Sequence, residues 1–253
     1  MLLEGEVGVG KTEVAKVLAA VFGRRLIRLQ CYEGISTSQA LYEWDYARQM
    51  LQIRALSQAE AAGDHFVEQL FGPKFLLERP LLEAVRQGDR AVLLIDEVDR
   101  ADDEFEAFLL EVLSDFQISI PEVGTIKADS SPVVILTSNR TRELHDALRR
   151  RCLYHWIGYP TAEREAEIVA VREPGAGGQL IGKVVAAVQR LRELDMAKPP
   201  GVAETIDWVR TLGVLGETEL TPDAAGDTLG AVVKDRDDLD LVRDNLAEII
   251  SGA

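Results

Sequence analysis

The sequence is poor in cysteine, histidine and aromatic residues. It contains 2 Cys and 3 His in 253 residues, and 6% of its residues are aromatic. None of the cysteines or histidines recurs at the short spacing that a zinc site requires. Cys31 and Cys152 are therefore expected to be reduced and buried rather than joined in a disulfide or bound to metal. These absences argue against a disulfide-stabilised secreted fold and against a structural metal centre.

Long apolar runs and an excess of positive charge are also missing. No apolar run approaches the roughly 18 residues that cross a bilayer, and no signal segment precedes the first motif. We therefore expect a cytoplasmic protein without a membrane partner. The formal net charge is −15 at pH 7. Because a surface of this sign repels a phosphate backbone, a nucleic-acid partner is unfavourable.

The first 160 residues contain alternating strand and helix patterns. The segments that resemble strands lie at 2–4, 25–31, 91–95, 133–137 and 153–157, and residues 25–31 are identified by their alternation. The segments with helical spacing lie at 11–22, 40–54, 75–86 and 105–116. The predicted apolar stripe of the first helix comprises Val14, Val17, Leu18 and Val21. Residues Gln117–Lys127 are typical of a polar-tipped hairpin.

From Thr161 onward the pattern becomes entirely helical. A succession of strands and helices followed by helices alone indicates two kinds of architecture in one chain. We therefore expect an α/β nucleotide-binding domain over residues 1–160 and a small helical domain over residues 161–253.

A glycine-rich loop follows the first strand pattern. Residues 5–12 read Gly-Glu-Val-Gly-Val-Gly-Lys-Thr and fit the phosphate-loop pattern of glycine, four residues, glycine, lysine and a hydroxyl residue. Glycines let backbone N–H groups turn toward a β-phosphate, and the next helix offers its positive end. Lys11 would reach the β- and γ-phosphate oxygens and Thr12 a magnesium ion. The sequence thus predicts binding of ATP or GTP. The expected nucleotide-binding residues of this segment are Gly5, Glu6, Val7, Gly8, Val9, Gly10, Lys11, Thr12 and Glu13.

Two carboxylates, Asp96 and Glu97, follow the apolar run 91–95. Ligands of open parallel sheets bind at the carboxyl ends of the strands. Asp96 would hold the Mg²⁺ shell, through water, while Glu97 would polarise the attacking water. The alternative is a pair of helix-capping acids, but a second carboxylate is typical of hydrolases that activate water.

The charged residues that follow Glu97 are expected to be solvated or to lie at an interface. They are Asp99, Arg100, Asp102 and Asp103.

Asn139 follows the run 133–137 and could orient the same water or contact the γ-phosphate; the alternative is an ordinary strand-end cap. After it comes the run Arg149-Arg150-Arg151. A cation at this place could complete a site in the next subunit, as arginine fingers do. The alternative is a solvated charged face.

Taken in this order, these four elements resemble the AAA+ superfamily, and their details resemble its MoxR branch. The segments similar to the CoxD family, which is associated with maturation of a molybdenum–copper carbon monoxide dehydrogenase, are 4–12, 29–34, 42–54, 99–125, 137–160 and 198–208. The resemblance implies a five-stranded parallel α/β core with a helical lid. It also implies ATP and Mg²⁺ as cofactors and a homo-oligomeric ring, usually a hexamer, with ATP at each interface.

The resemblance assigns further roles. It favours Arg151 as the catalytic finger, since Arg-Cys here parallels Ser-Arg-Cys in related ATPases, with Arg150 as the alternative. The Gln117–Lys127 hairpin would face the pore or the client. The client would be a metalloenzyme, and a von Willebrand-type adaptor is common beside MoxR proteins. The implied function is ATP-driven remodelling; the alternatives are a nucleic-acid motor or loader and a non-hydrolysing nucleotide switch.

Two features depart from the family pattern. Many MoxR relatives carry an arginine in the lid motif, and residues 201–208 contain none. Almost no residues precede Leu2 and Leu3, so we expect a truncated N-terminus that lacks the segment which helps to enclose adenine. Both departures predict altered nucleotide sensing or affinity.

Overall fold

The computed structural model describes residues 1–57 and 70–251. The chain forms two compact units. We call residues 1–4 and 11–156 the α/β unit, and residues 5–10 and 157–253 the helical unit. Among the described residues, no helix is long and apolar enough to cross a membrane.

The described elements from β1 to β9 are, in chain order, β1 (Leu2–Gly5), α1 (Lys11–Val21), β2 (Arg25–Gln30), α2 (Thr37–Ala40), β3 (Tyr42–Trp44), α3 (Tyr46–Ser57), β4 (Leu76–Glu78), α4 (Pro80–Gln87), β5 (Ala91–Asp96), α5 (Asp103–Asp115), β6 (Gln117–Ile120), β7 (Gly124–Lys127), β8 (Val133–Ser138), α6 (Asp146–Arg149) and β9 (Tyr154–Ile157). The described helices that follow are α7 (Ala162–Arg172), α8 (Gly178–Leu191), α9 (Val202–Val214), α10 (Pro222–Thr228) and α11 (Arg236–Ser251).

Five strands form a parallel sheet in the order β2-β5-β8-β1-β9. The register pairs Gln30 with Asp96 and Leu2 with Leu136. All six residues of β5 are buried, as expected of a central strand covered on both faces. Strands β2 and β9 form the two edges. The predicted five-stranded parallel core, with helices in the C-terminal region, is confirmed.

The predicted apolar stripe of α1 is wrong at two of its four positions, since Val14 and Leu18 are half-buried but Val17 and Val21 are not. Val17 and Val21 are 57% and 73% exposed, whereas the buried residues of the helix are Lys11, Ala15 and Ala19. Helix α1 packs against β5, β2 and β8. Small side chains on the packed face allow the helix to approach the sheet closely, so the larger valines lie outside.

The predicted helices 40–54 and 75–86 are each preceded or interrupted by a short strand. Strands β3 and β4 pair antiparallel, with Trp44 opposite Leu76. Helix α4 begins at Pro80, because proline has a fixed φ and no N–H and therefore suits the first turn of a helix. The predicted Gln117–Lys127 hairpin is confirmed as β6 and β7, which pair antiparallel and bury Ile118 and Ile120.

The helical unit has its own apolar core around Trp208, which is fully buried. Its indole N–H donates to Thr228 Oγ1 at 2.8 Å. A second buried group is Glu165, whose carboxylate accepts bonds from Arg192 Nη1 and Nη2 at 2.7 and 2.8 Å and from Thr205 Oγ1 at 2.6 Å. This network joins α7, the segment after α8, and α9.

Candidate functional site

The polar residues at the carboxyl ends of β5 and β8 converge on Asp96, which is buried. Asp96 Oδ1 accepts a bond from Thr12 Oγ1 at 3.0 Å and another from Thr137 Oγ1 at 2.5 Å. The Glu97 N–H donates to Thr137 Oγ1 at 2.9 Å. The first turn of α1 and the ends of two neighbouring strands are thus joined at one carboxylate.

Sequence reasoning missed Arg28, a third partner of Asp96 after Thr12 and Thr137. Arg28 Nε and Nη2 both donate to Asp96 Oδ2, at 3.0 and 2.5 Å. The arginine lies on β2, two residues before Gln30, which is the register partner of Asp96. The sequence signal that could have indicated this role is a charged residue near the end of β2, the strand that pairs with β5. The arginine compensates the buried negative charge of Asp96.

Glu97 has a left-handed backbone, with φ 54° and ψ 49°. Non-glycine residues rarely adopt this conformation, and those that do are concentrated at functional sites. The Glu97 carboxylate is partly exposed and lies 3.1 Å from Arg100 Nη1. The backbone at the end of β5 therefore turns abruptly at the residue expected to activate water.

The prediction that Asp99 is a solvated charge is wrong, because only 2% of the residue is exposed. Asp99 Oδ2 accepts bonds from the N–H groups of Asn139 at 3.2 Å and Thr141 at 2.8 Å. The physical reason is that the turn after β8 leaves backbone donors that need an acceptor. Arg100 and Asp103 are exposed as expected. Asp102 is also exposed, and its carboxylate caps α5.

The phosphate loop, Gly5–Gly10, lies in the helical unit. A Cβ at Gly5 would lie 1.9 Å from Ile157 O, so only glycine fits there. Gly8 has φ +75°, and a Cβ there would lie 2.9 Å from Glu204 Oε2. Lys11 and Thr12 follow in the α/β unit, where Lys11 is the buried first residue of α1. The glycines of the motif are thus required by close approach and by backbone conformation.

A cavity of about 400 Å³ adjoins the phosphate loop within the helical unit. Its mainly apolar wall includes Val7, Tyr159, Pro200 and Val232. Burial raises the pKa of the Tyr159 hydroxyl above its ordinary value, and Arg192 lies 4.3 Å from the centre of its ring. The sequence alone did not reveal this cavity, because its wall combines separate segments of the chain.

The three arginines of the run 149–151 have different surroundings. Arg151 Nη1 donates to Leu110 O at 3.1 Å and also to Ser114 Oγ, which holds it on α5. The guanidinium of Arg149 lies 6.0 Å from the centre of the Tyr154 ring. The Arg150 side chain is 83% exposed. In the described part of the chain, no ion pair joins Arg150 or Arg151 to the carboxylates at the end of β5.

The donor set fits a magnesium ion bound together with phosphates. Among the described residues, no group of three or more His, Cys, Asp and Glu could hold a metal ion. The Thr12 hydroxyl and the Asp96 carboxylate supply two hard oxygen atoms 3.0 Å apart. Mg²⁺ in nucleotide sites typically takes one or two protein oxygens and completes its shell with phosphates and water.

Residues 1–152 match the AAA domain (dynein-related subfamily). The chain is 32% identical over 140 residues to chaperone protein ClpB of Bacillus cereus and 30% identical over 143 residues to the chloroplastic chaperone protein ClpC4 of Oryza sativa subsp. japonica. These matches cover 53% and 54% of this chain. They span 13% of the length of each relative.

Among solved structures, the chain is similar to two variants of RuvB from Thermotoga maritima. The TM-scores are 0.54 and 0.53, with 16% sequence identity in each case. The alignments cover 100% of this chain and 70% and 69% of the RuvB chains. At this identity the likeness shows the fold alone. Because the AAA-domain match spans residues 1–152 of 253, the chain belongs to the AAA family of ATPases, in its dynein-related subfamily.

Proposed function

We propose that this chain is a MoxR-type AAA+ ATPase that hydrolyses ATP to remodel a partner protein. The observation that carries the proposal is the junction at Asp96, where one carboxylate accepts bonds from Thr12 after the phosphate loop and from Thr137 at the end of β8. In this proposal residues 1–160 act as the nucleotide-binding core. Residues 161–253 act as the lid.

The phosphate loop and the cavity beside it account for nucleotide binding. Gly5–Gly10 would surround the phosphates with backbone N–H groups, and Lys11 and Glu13 would complete the contacts. The cavity of about 400 Å³ would receive the base, because its mainly apolar wall, with Tyr159 and Pro200, suits a flat heteroaromatic ring. ATP is the proposed nucleotide because residues 1–152 match the AAA domain.

The strand ends account for hydrolysis. A bound Mg²⁺ ion would neutralise charge on the phosphate oxygens. Thr12 would hold that ion directly and Asp96 through water. Glu97 would orient the attacking water and accept its proton, while Asn139 would hold the water or the γ-phosphate in line. Hydrolysis by this route depends on positioning and charge, not on a covalent intermediate.

We propose that the chain forms a ring, as a hexamer, in which an arginine of one subunit completes the site of the next. The resemblance to related ATPases supports Arg151. The exposure of Arg150 supports Arg150, because its guanidinium extends into solvent while Arg151 is held on α5. Single alanine variants of these two neighbours form a matched pair. Loss of turnover in one and not in the other identifies the finger.

The proposed client is a molybdenum–copper carbon monoxide dehydrogenase. The support is the resemblance of residues 29–34, 42–54 and 99–125 to the CoxD family. The β6–β7 hairpin would contact the client, and a von Willebrand-type adaptor would link the two. The net charge of −15 supports a protein client over a nucleic acid.

The test of the ATPase is turnover and nucleotide binding by the purified protein. Lys11→Ala is expected to lose nucleotide binding. Glu97→Gln is expected to keep binding and to lose about 10²–10⁴-fold in turnover, the usual effect of removing a general base. Lys183→Ala, in the helical unit, serves as the control. Absence of turnover in assembled wild-type protein would favour the nucleotide switch, and salt-sensitive stimulation by DNA would favour the nucleic-acid motor.

The test of the client is made in a host that lacks this gene. Carbon monoxide dehydrogenase activity and its copper and molybdenum content would be compared after complementation with wild-type or Lys11→Ala protein. Restoration by wild type alone supports ATP-driven maturation. Activity that does not depend on the gene excludes this client and leaves the ATPase proposal intact.

A further inference from the structure

Two rare backbone conformations occur at the two strand ends of the site. Glu97, directly after β5, has φ 54°, and Arg140, two residues after β8, has φ 57°. Such left-handed conformations persist in non-glycine residues only where the surroundings impose them. Arg140 is adjacent to Asn139, so both residues proposed to act on the water lie at or beside such a turn.

The side chain of Asp99 bonds across these two turns, which Arg142 also joins by donating to Ala101 O. Asp99 lies two residues after Glu97, in the short turn closed by bonds from Arg100 N to Glu97 O and from Ala101 N to Val98 O. Its Oδ2 accepts from Asn139 N at 3.2 Å, from Thr141 N at 2.8 Å and from Thr141 Oγ1 at 2.8 Å. These bonds lie on both sides of Arg140. Asp99 therefore fixes the turn after β8 relative to the turn that carries Glu97.

Burial of the Asp99 carboxylate is energetically unfavourable. Only 2% of Asp99 is exposed. Among the described residues, its Oδ1 is a buried oxygen without a hydrogen-bond partner. Asp99 also lines a cavity of about 750 Å³, whose wall contains acids at positions 102–104 and the cations Arg100 and Arg142. Burying a carboxylate with one oxygen unpartnered is unfavourable. An uncharged asparagine could accept the same bonds from the turn after β8 at lower cost.

We propose that Asp99 is a positioning residue, which holds Asn139 in a fixed place relative to Glu97. This inference rests on the proposed function, in which Glu97 and Asn139 act on one water molecule at the γ-phosphate. Positioning of this kind is a large part of catalysis, and a displacement of about 1 Å can reduce a rate roughly 100-fold. Asp99 itself contacts backbone and Thr141, so it acts through Asn139 rather than on the substrate.

The first test is steady-state kinetics with three variants. Asp99→Ala removes every side-chain bond to the turn and is expected to lower kcat at least tenfold while nucleotide affinity stays within twofold. Asp99→Asn keeps an oxygen acceptor and is expected to restore kcat to within threefold of wild type. Asp103→Ala is the matched control, because Asp103 is an exposed acid on the wall of the same cavity. A kcat of Asp99→Ala equal to that of Asp103→Ala would overturn the inference.

The second test does not depend on hydrolysis. Amide hydrogen exchange at residues 139–141 is expected to rise at least tenfold in Asp99→Ala, with β8 unchanged. Unchanged exchange at these amides would overturn the positioning role, whatever the kinetics. Failure of the proposed function gives a different result: wild type would show no turnover, or Glu97→Gln would turn over ATP as fast as wild type, while exchange at residues 139–141 would still rise in Asp99→Ala. A variant that does not fold would lose protection throughout β8, and Asp99→Asn then decides by the same two measurements.

Discussion

The start of α9 lies against the phosphate loop, and this contact predicts the effect of one methyl group. A Cβ on Gly201 would lie 2.5 Å from Val7 O and 2.8 Å from Gly8 Cα. Both neighbours are backbone atoms, so no change of rotamer can relieve the overlap. Gly201 has φ −86° and ψ −176°, which alanine adopts without strain. The overlap therefore dominates the effect of Gly201→Ala, and overpacking of this kind costs about 1–3 kcal/mol.

The assay is urea unfolding together with titration by a fluorescent ADP analogue. Gly201→Ala is expected to lower the free energy of unfolding by about 1–3 kcal/mol. It should also weaken nucleotide binding, by about tenfold for each 1.4 kcal/mol that falls on the bound form.

Gly213→Ala is the control within the same helix, since a Cβ there meets no atom within 4 Å. It is expected to raise stability by about 0.4–1 kcal/mol. Equal stability and equal affinity of the two alanine variants would refute the contact between α9 and the phosphate loop.

Three further predictions concern stability. Glu165→Ala leaves the buried Arg192 without its carboxylate and should lower the free energy of unfolding in urea by about 3–5 kcal/mol. The control Glu167→Ala removes an exposed ion pair with Arg164 and should change that free energy by less than about 1 kcal/mol. Ala19→Leu should destabilise the protein by about 1–3 kcal/mol because it enlarges a side chain on the packed face of α1. Val21→Ser should change stability by less than about 0.5 kcal/mol. A larger loss of thermal stability in Val21→Ser than in Ala19→Leu would mean that the valines form the packed face. Burial, followed by nearby carboxylates, raises the pKa of Cys31 to about 12 from 9.0. The folded state therefore keeps a proton that the unfolded state releases, so stability should fall as pH rises from 9 toward 12 and be unaffected by this thiol below pH 9. Thiol labelling at pH 8 that is faster than unfolding would contradict the burial of Cys31.

The parts of the site that were predictable are those with a local signature. A phosphate loop needs glycines, a lysine and a hydroxyl residue within eight positions, and a buried strand that ends in two acids is equally compact. Arg28 was missed because its role depends on the register between β2 and β5. Asp99 was misplaced because its burial depends on donors 40 and 42 residues away along the chain.

The fold shows the same division. The strands of the sheet were recognisable because they are short apolar segments, as at residues 91–95, or alternating ones, as at residues 25–31. Strands β3 and β4 were read as helix because a three-residue strand has no clear period, and each is stabilised by a partner in a different part of the chain. The buried face of α1 was misassigned because hydrophobicity ranks valine above alanine, while close packing against a sheet favours the smaller side chain.

Strand β9 lies at an edge of the sheet, and Arg149, the first arginine of the run 149–151, lies beside it. The unpaired backbone groups of an edge strand can pair with a strand of another molecule. On β9 the exposed aromatic side chains of Tyr154 and Trp156 add apolar surface that favours such contact. Arg149 lies over the Tyr154 ring and Arg140 lies 5.8 Å from the centre of the Trp156 ring. Charged side chains at a sheet edge disfavour pairing of that edge with another strand, and the two cations lie at this edge. Arg149 is thus placed against an aromatic ring of its own chain, which leaves its two neighbours, Arg150 and Arg151, as the candidates for the finger.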